Sequence, residues 1–145
     1  VDKENFKLAP GAAAFLDFLK ENNIPMTIAT MSEWDNVEFY IKEFKLAKWF
    51  DVDKIVYSNG KIPGKPAPDI FLIAAGKIGL NPKDCVVFED AIAGINAAKA
   101  AGIGKIIAVD SIEPIEFYRD IDGLSGIITS FDEVDKSMFE IPSVI

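Results

Sequence analysis

The sequence predicts an α/β protein whose parallel β-sheet is covered by helices on both faces. Short apolar runs rich in β-branched residues alternate with segments of helical periodicity, and no internal repeat or low-complexity tract interrupts them. With 145 residues, half of them apolar, the chain can bury one sizeable core. We therefore expect a single domain over residues 1–145.

The first half of the chain begins with a helix and then alternates strands with helices. Apolar side chains recur at helical spacing between residues 11 and 22, and two asparagines end that segment. Residues 24–30 are apolar and β-branched, which is typical of a strand buried on both faces. A helical stripe over residues 34–44 that includes Trp34 follows, and residues 54–57 form the next predicted strand.

The second half continues the same alternation. The sequence predicts a helix from Pro68 to Ile78, a strand over residues 85–88 and an alanine-rich helix over 91–101 with Gly102 as its cap. The remaining predictions are a strand over residues 105–109, a helix over 114–118 and a strand over 126–129. This order implies right-handed βαβ units and a parallel sheet.

Composition excludes several classes of function. A net charge of −8 and a pI near 4.5 disfavour nucleic acid and anionic membranes as partners, because both attract basic surfaces. No apolar run approaches the ~20 residues of a membrane span, and the first residues show no signal-peptide pattern. We expect a cytoplasmic protein.

Histidine is absent, and Cys85 is the single cysteine. The lack of histidine removes Ser-His-Asp and Cys-His nucleophile systems and the usual zinc ligand sets. Cys85 lies in an apolar run, so we expect a buried, reduced thiol without a catalytic role. Any chemistry must use carboxylates, lysine, hydroxyls and backbone amides.

The first polar strand end is Thr30, followed by Met31 and Ser32. Ligands of open parallel sheets bind beyond the carboxyl ends of the strands. A hydroxyl and free N–H groups at a helix N-terminus could cradle a phosphate there. The alternative is that Thr30 and Ser32 only cap the helix, with Ser32 and Asp35 forming a capping box.

The second feature is Lys65, which stands between Gly64 and Pro66 just before a predicted helix. Prolines stiffen this loop, and a rigid ammonium at the ligand edge of the sheet suits the charge of a phosphoryl group. The alternative is a solvated lysine in a turn.

The third feature is the pair Glu89 and Asp90, which ends an almost wholly apolar strand. Two adjacent carboxylates repel each other and resist desolvation unless a cation or strong donors face them. Mg²⁺ typically binds through one or two carboxylates together with a phosphate. The alternative is that Asp90 caps the next helix and Glu89 points to water.

These three features, in this order, resemble the second, third and fourth motifs of the haloacid dehalogenase superfamily, within its β-phosphoglucomutase-like subgroup. The matching stretches are Ile28-Ala29-Thr30-Met31-Ser32, Gly64-Lys65-Pro66-Ala67-Pro68-Asp69-Ile70-Phe71, and Val86-Val87-Phe88-Glu89-Asp90-Ala91 with Ala93-Gly94-Ile95. The resemblance implies a Rossmann-like core of three layers. It also implies that Thr30 and Lys65 contact the transferring phosphoryl group and that Glu89 and Asp90 hold Mg²⁺.

The first motif of the family, an Asp-x-Asp sequence on an N-terminal strand, has no counterpart ahead of Pro10. Asp51 and Asp53 have the right spacing, but no apolar strand precedes them and Lys54 follows. By resemblance, the nucleophilic aspartate and the cap domain are therefore expected to be absent from this chain, which would be the C-terminal part of the core and inactive by itself.

The first-motif strand is central in the family's sheet, between the strands that end at Thr30 and Glu89. Its absence would leave two facing strand edges with unpaired backbone groups. The sheet must then close up or receive a strand, from the missing N-terminal segment in trans or from a second copy of the chain.

The resemblance implies a Mg²⁺-dependent phosphatase or phosphomutase that acts on a small phosphorylated metabolite, such as a sugar phosphate. The alternative is a non-catalytic module that binds phosphate, metal or a protein through the remaining site. A dinucleotide-binding domain lacks support, because no G-x-G-x-x-G follows the first strand.

Overall fold

The computed structural model describes residues 8–110 and 115–139, in which helices alternate with strands. The helices are α1 Ala12–Glu21, α2 Trp34–Glu43, α3 Asp69–Lys77, α4 Ile92–Ala100 and α5 Ile115–Arg119. The strands are β1 Ala29–Glu33, β2 Val56–Ser58, β3 Val86–Glu89, β4 Lys105–Val109 and β5 Gly126–Ile128. Short 3₁₀ turns connect several of these elements.

All strand pairs described are parallel, but they form two separate sheets. β1 pairs with β2, and β4 lies between β3 and β5 in the second sheet. In the second sheet Val86 is opposite Lys105 and Glu89 is opposite Ala108. The predicted fold class, an α/β protein with parallel strands, is confirmed.

Side chains of β4 alternate between two apolar clusters on opposite faces. Ile106 and Ala108 pack with buried side chains of α3 and α4, whereas Ile107 packs with Phe15 and Leu19 of α1. Such alternation is expected for a strand that is covered on both faces. Helices α1 on one side and α3 and α4 on the other therefore form the outer layers.

The predicted helices agree closely with the structure. α3 begins at Asp69, and Gly102 follows α4 with a φ of 77°, the left-handed conformation that favours glycine at a helix end. The predicted start of the last helix, Pro114, lies outside the described residues. No helix within residues 8–110 and 115–139 has the length and apolarity needed to cross a membrane.

Strand boundaries differ more from the prediction. The strand expected over residues 24–30 begins at Ala29 and extends to Glu33, and the strand expected over 54–57 is displaced to Val56–Ser58. The predicted capping box is wrong, because Ser32 belongs to β1 and α2 starts after Glu33 without a side-chain cap. Periodicity marks an apolar segment but cannot show which of its residues find a partner strand.

A gap separates the two sheets. Residues 24–29 line one side of an apolar cavity of about 570 Å³, and residues 84–89 line the other. Side chains of α1 and α3, including Phe15 and Phe71, close it above and below. Among the described residues no backbone hydrogen bond crosses the gap. The two sheets have not closed up, so the two facing edges expected from the sequence are present.

Candidate active site

The carboxyl end of β3 holds the two adjacent acids. Glu89 Oε1 accepts hydrogen bonds from the backbone N–H groups of Asp90, at 3.2 Å, and Ala91, at 3.5 Å. Ala91 is the N-cap of α4, so Asp90 does not cap the helix. The Glu89 side chain is only 12% exposed and does not point to water. The alternative of a helix cap with a solvated glutamate is therefore wrong.

Lys65 reaches this strand end from the loop before α3. Its Nζ lies 2.7 Å from Glu89 Oε2 and 5.1 Å from the centre of the Phe71 ring. The lysine side chain is 17% exposed, which excludes the solvated lysine considered above. Because the ion pair is shielded from water and rests on an aromatic face, the ammonium has a defined position before any ligand arrives.

Gly94, in the first turn of α4, makes room for Glu89. A Cβ atom built on Gly94 would lie 2.1 Å from Glu89 Cδ and 2.3 Å from Glu89 Cγ. Gly94 belongs to the motif stretch Ala93-Gly94-Ile95, but its role was not predicted from the sequence. The available signal was an isolated glycine inside an alanine-rich helix, a position where close packing often replaces helix propensity.

Thr30 lies within β1, and its hydroxyl is already oriented. Thr30 Oγ1 accepts a hydrogen bond of 3.1 Å from the backbone N–H of Ser32. The hydroxyl hydrogen is therefore directed elsewhere and can donate to an anion. The same bond occupies the Ser32 N–H, so this amide is not one of the free N–H groups expected beside Met31 and Ser32.

The Lys65 loop connects the middle of β1 with the carboxyl end of β3. The Cβ position of Gly64 is 3.9 Å from Met31 Cε, and the next residue, Lys65, pairs with Glu89. Residues that the sequence spaces far apart thus meet at one edge, as parallel strands require. The gap between the sheets ends at this point, because Glu89 also lines its cavity.

Tyr118 contacts the backbone of the acidic pair and was not predicted from the sequence. This tyrosine of α5 is fully buried, and its hydroxyl donates a 2.8 Å hydrogen bond to the backbone carbonyl of Asp90. No local pattern could have identified it, because the two residues are separated by 28 positions.

Replacing Tyr118 with phenylalanine should lower the free energy of unfolding by about 1 kcal/mol, because a buried carbonyl loses a hydrogen-bond donor while ring packing is kept. Denaturant unfolding measures this change. Tyr57→Phe is the matched control and should have a smaller effect, because this half-buried tyrosine of β2 donates no hydrogen bond within residues 8–110 and 115–139. Equal effects would show that the bond to Asp90 adds no stability.

The donor set at this edge suits a hard divalent cation only in part. Glu89 and Asp90 offer carboxylate oxygens, the ligands that Mg²⁺ prefers. Within the described ranges, no group of three or more acidic, histidine or cysteine residues could hold a metal ion. The pair therefore fits a Mg²⁺ site of the kind that takes its other ligands from a phosphate, water or a further carboxylate.

The remaining candidates have structural explanations. Asp51 Oδ1 accepts a hydrogen bond from the Asp53 N–H at 3.1 Å and caps a short 3₁₀ turn. Burial, with a smaller contribution from Asp84, raises the pKa of the Cys85 thiol. Cys85 is half-buried and not fully buried as expected, and a protonated thiol is a poor nucleophile.

Thr30 is not the strand end that the sequence predicted, because β1 continues to Glu33. A cation and two carboxylates at the carboxyl end of β3, with a hydroxyl on β1, define an α/β protein with a site suited to phosphate. The family model for haloacid dehalogenase-like hydrolases matches residues 1–102. The protein belongs to this family, as its motifs predicted.

Curated relatives extend the similarity along nearly the whole chain. A protein of Drosophila melanogaster named "Probable pseudouridine-5'-phosphatase" is 41% identical over 143 residues, which cover 96% of this chain and 61% of the relative. A bifunctional riboflavin kinase/FMN phosphatase of Arabidopsis thaliana is 34% identical, over 95% of this chain and 34% of the relative. The chain thus spans less than two thirds of the length of either protein.

Solved structures show the same partial coverage. A haloacid dehalogenase hydrolase of family IA, variant 3, from Entamoeba histolytica superimposes with a TM-score of 0.88 at 41% identity, over 92% of this chain and 60% of that one. CbbY from Rhodobacter sphaeroides, solved with phosphate, superimposes with a TM-score of 0.73 at 26% identity, over 88% of this chain and 56% of that one.

Proposed function

We propose that the protein is the C-terminal part of a Mg²⁺-dependent phosphatase or phosphomutase that acts on a small phosphorylated metabolite. The observation that carries the proposal is the shielded Lys65–Glu89 pair, held at the carboxyl end of β3 where the Lys65 loop also approaches Met31 of β1. Relatives named for phosphatase activity on pseudouridine 5'-phosphate, FMN and fructose 1-phosphate support a small phosphomonoester as the substrate class.

Each residue of the site has a distinct role in this proposal. Thr30 donates its hydroxyl hydrogen to a phosphoryl oxygen, because its lone pair already accepts from Ser32. Lys65 neutralises the charge that gathers on the phosphoryl oxygens and on the attacking carboxylate. Met31 and Ser32 shape the edge of β1 beside the phosphate. Their alignment before the reaction lowers the cost of reorganising the site.

Glu89 and Asp90 would hold the Mg²⁺ ion. When bound, Mg²⁺ neutralises phosphate charge and fixes the orientation of the phosphoryl group. The residues of this chain prepare that site: Tyr118 fixes the Asp90 carbonyl, and Gly94 leaves space for the Glu89 carboxylate. Lys65 also offsets the repulsion between two neighbouring acids when the cation is away.

The nucleophilic carboxylate comes, in this proposal, from an additional strand that enters the gap between β1 and β3. Six residues in extended conformation span about 20 Å, at ~3.3 Å per residue, which matches the length of the segments 24–29 and 84–89 that line the cavity. An aspartate at the carboxyl end of such a strand would lie beside Glu89 and Lys65. The strand would also pair the two open edges.

Turnover of a generic phosphate ester with Mg²⁺ tests this arrangement. The protein without an added strand should show no sustained hydrolysis above background, because no described residue is placed as the nucleophile. Sustained hydrolysis that copurifies with the chain and disappears in Asp90→Asn would contradict the proposal that the nucleophile is supplied separately.

Replacing Asp90 with asparagine should weaken Mg²⁺ binding by about tenfold or more, because a hard divalent ion loses a charged oxygen ligand and even outer-shell changes typically cost about 10- to 100-fold in metal affinity. Calorimetric titration with Mg²⁺ in the presence of inorganic phosphate measures the change. Asp84→Asn, at the opposite end of β3, is the matched control and should leave the affinity unaltered. Unchanged Mg²⁺ affinity in Asp90→Asn would count against the metal assignment.

A further inference from the structure

A recess of about 440 Å³ lies beside the phosphate edge, at the carboxyl ends of β1 and β2. Glu33 and Ser58 are register partners there, and Trp34 begins α2 directly after the strand that carries Thr30. The recess is lined by Glu33, Trp34, Asp35, Tyr57, Ser58, Asn59 and Gly60. The recess therefore lies on the ligand side of the sheet. Glu33, which lines it, is three residues after Thr30 in the same strand.

Trp34 gives this recess an exposed aromatic face. Its periodicity predicted a place in the buried stripe of α2, but Trp34 is 40% exposed whereas Val37 of the same helix is 3% exposed. The indole ring centre lies 5.1 Å from that of Tyr57, with an angle of 47° between the rings. Tyr57 thus supports one side of the indole while part of its surface remains open to solvent and can stack on a flat ligand.

The polar rim of the recess contains two carboxylates, which accept hydrogen bonds only, beside Ser58 and Asn59, which can also donate them. In residues 8–110 and 115–139, the carboxylates of Glu33 and Asp35 have no hydrogen-bond or ion-pair partner. Asn59 Oδ1 is engaged by the backbone N–H groups of Lys61 and Ile62. The carboxylates can accept hydrogen bonds from ligand N–H groups, and they would repel a second phosphate.

We infer that this recess binds the organic group of a phosphomonoester and selects a neutral, planar heterocycle with N–H donors. The inference rests on the proposed function, because the phosphate is placed at Thr30 and Lys65. It deepens that function in one respect: a bisphosphorylated sugar, which a phosphomutase cycle requires, would be repelled by the carboxylates of Glu33 and Asp35 if its second phosphate entered the recess. The site therefore favours hydrolysis of a nucleotide-like monoester.

Calorimetric titrations of the protein with uridine 5'-monophosphate, ribose 5-phosphate, fructose 1,6-bisphosphate and uridine test the inference. Uridine 5'-monophosphate should bind about tenfold or more tightly than ribose 5-phosphate, since stacking of one base contributes ~1–3 kcal/mol. Trp34→Ala should remove that preference without changing the affinity for ribose 5-phosphate. Because Trp34 is exposed, its loss leaves the core intact. Leu72→Ala, which removes another exposed apolar side chain, is the matched control.

The titrations separate this inference from the proposed function. Uridine should quench the fluorescence of Trp34 even without a phosphate, whereas Lys65→Ala should weaken only the phosphorylated ligands. If Lys65→Ala changes none of the affinities, the phosphate site is wrong and the recess can still bind uridine. Equal binding of uridine 5'-monophosphate and ribose 5-phosphate, tighter binding of fructose 1,6-bisphosphate, or no measurable binding of either uridine ligand would overturn the inference.

Discussion

Replacing Lys65 with alanine should lower the affinity of the protein for a phosphate mimic such as aluminium fluoride by about 10- to 100-fold. A charge-assisted hydrogen bond contributes ~1.5–3 kcal/mol, and each 1.4 kcal/mol corresponds to about a factor of ten. Lys65 is placed to contribute this amount because its ammonium is mostly shielded and is held by Glu89 and Phe71. Calorimetry under conditions where both proteins are folded measures the loss.

Lys61→Ala is the control for this change, because Lys61 is an exposed lysine of the same loop. It should alter neither affinity nor stability. Lys65→Ala also leaves the Glu89 carboxylate without its ion pair, so a second variant, Lys65→Ala with Glu89→Gln, removes that unpaired charge. A fall in unfolding free energy in Lys65→Ala, with unchanged affinity for the mimic in both variants, would identify Lys65 as a structural residue.

Replacing Gly94 with alanine should disrupt the site while leaving the helix itself well formed. The new methyl group would overlap Glu89 at Cγ and Cδ, so the carboxylate must swing away from Lys65. Overpacking of this kind costs ~1–3 kcal/mol, partly offset by ~1 kcal/mol of helix propensity. We expect affinity for Mg²⁺ with phosphate to fall by about tenfold or more, since one carboxylate ligand and the position of the lysine are lost.

Gly76→Ala is a matched control, because Gly76 also lies inside a helix and a Cβ atom there would meet nothing within 4 Å. That variant should be more stable than the natural protein by up to ~1 kcal/mol and should bind ligands normally. Urea unfolding and calorimetry on both variants make the comparison. If Gly94→Ala behaves like Gly76→Ala, the close approach to Glu89 has no consequence for the site.

The helices were predictable because their signals are local. Apolar spacing, prolines at helix starts and Gly102 at a helix end act within a few residues of chain, so the bounds of α1, α3 and α4 follow closely from the sequence. The observed β1, Ala29–Glu33, lies later in the chain than the strand predicted over residues 24–30, because a strand ends where its partner ends. That partner, β2, is far away in the chain and short.

The candidate site was predictable to a different extent at each residue. Lys65, Glu89 and Asp90 stand out as polar residues at the ends of apolar segments, and the structure brings them together. The sequence could not show whether Ser32 and Asp90 cap the helices that follow them. A shift of one residue in the start of a helix changes which residue is its N-cap, and the observed N-caps are Glu33 and Ala91. Tyr118 and the contact between Gly94 and Glu89 depend on packing between elements and have no signature of their own.

The sequence by itself determined the class of the protein, its order of helices and strands, and the residue types available for chemistry. Those properties follow from periodicity, turn residues and the absence of histidine. Only the tertiary structure decided that two sheets face each other across an open gap, that Lys65 pairs with Glu89, and that Trp34 is exposed beside Tyr57. The physical reason is that each of these depends on residues distant in the chain, whose distances and burial are set by packing.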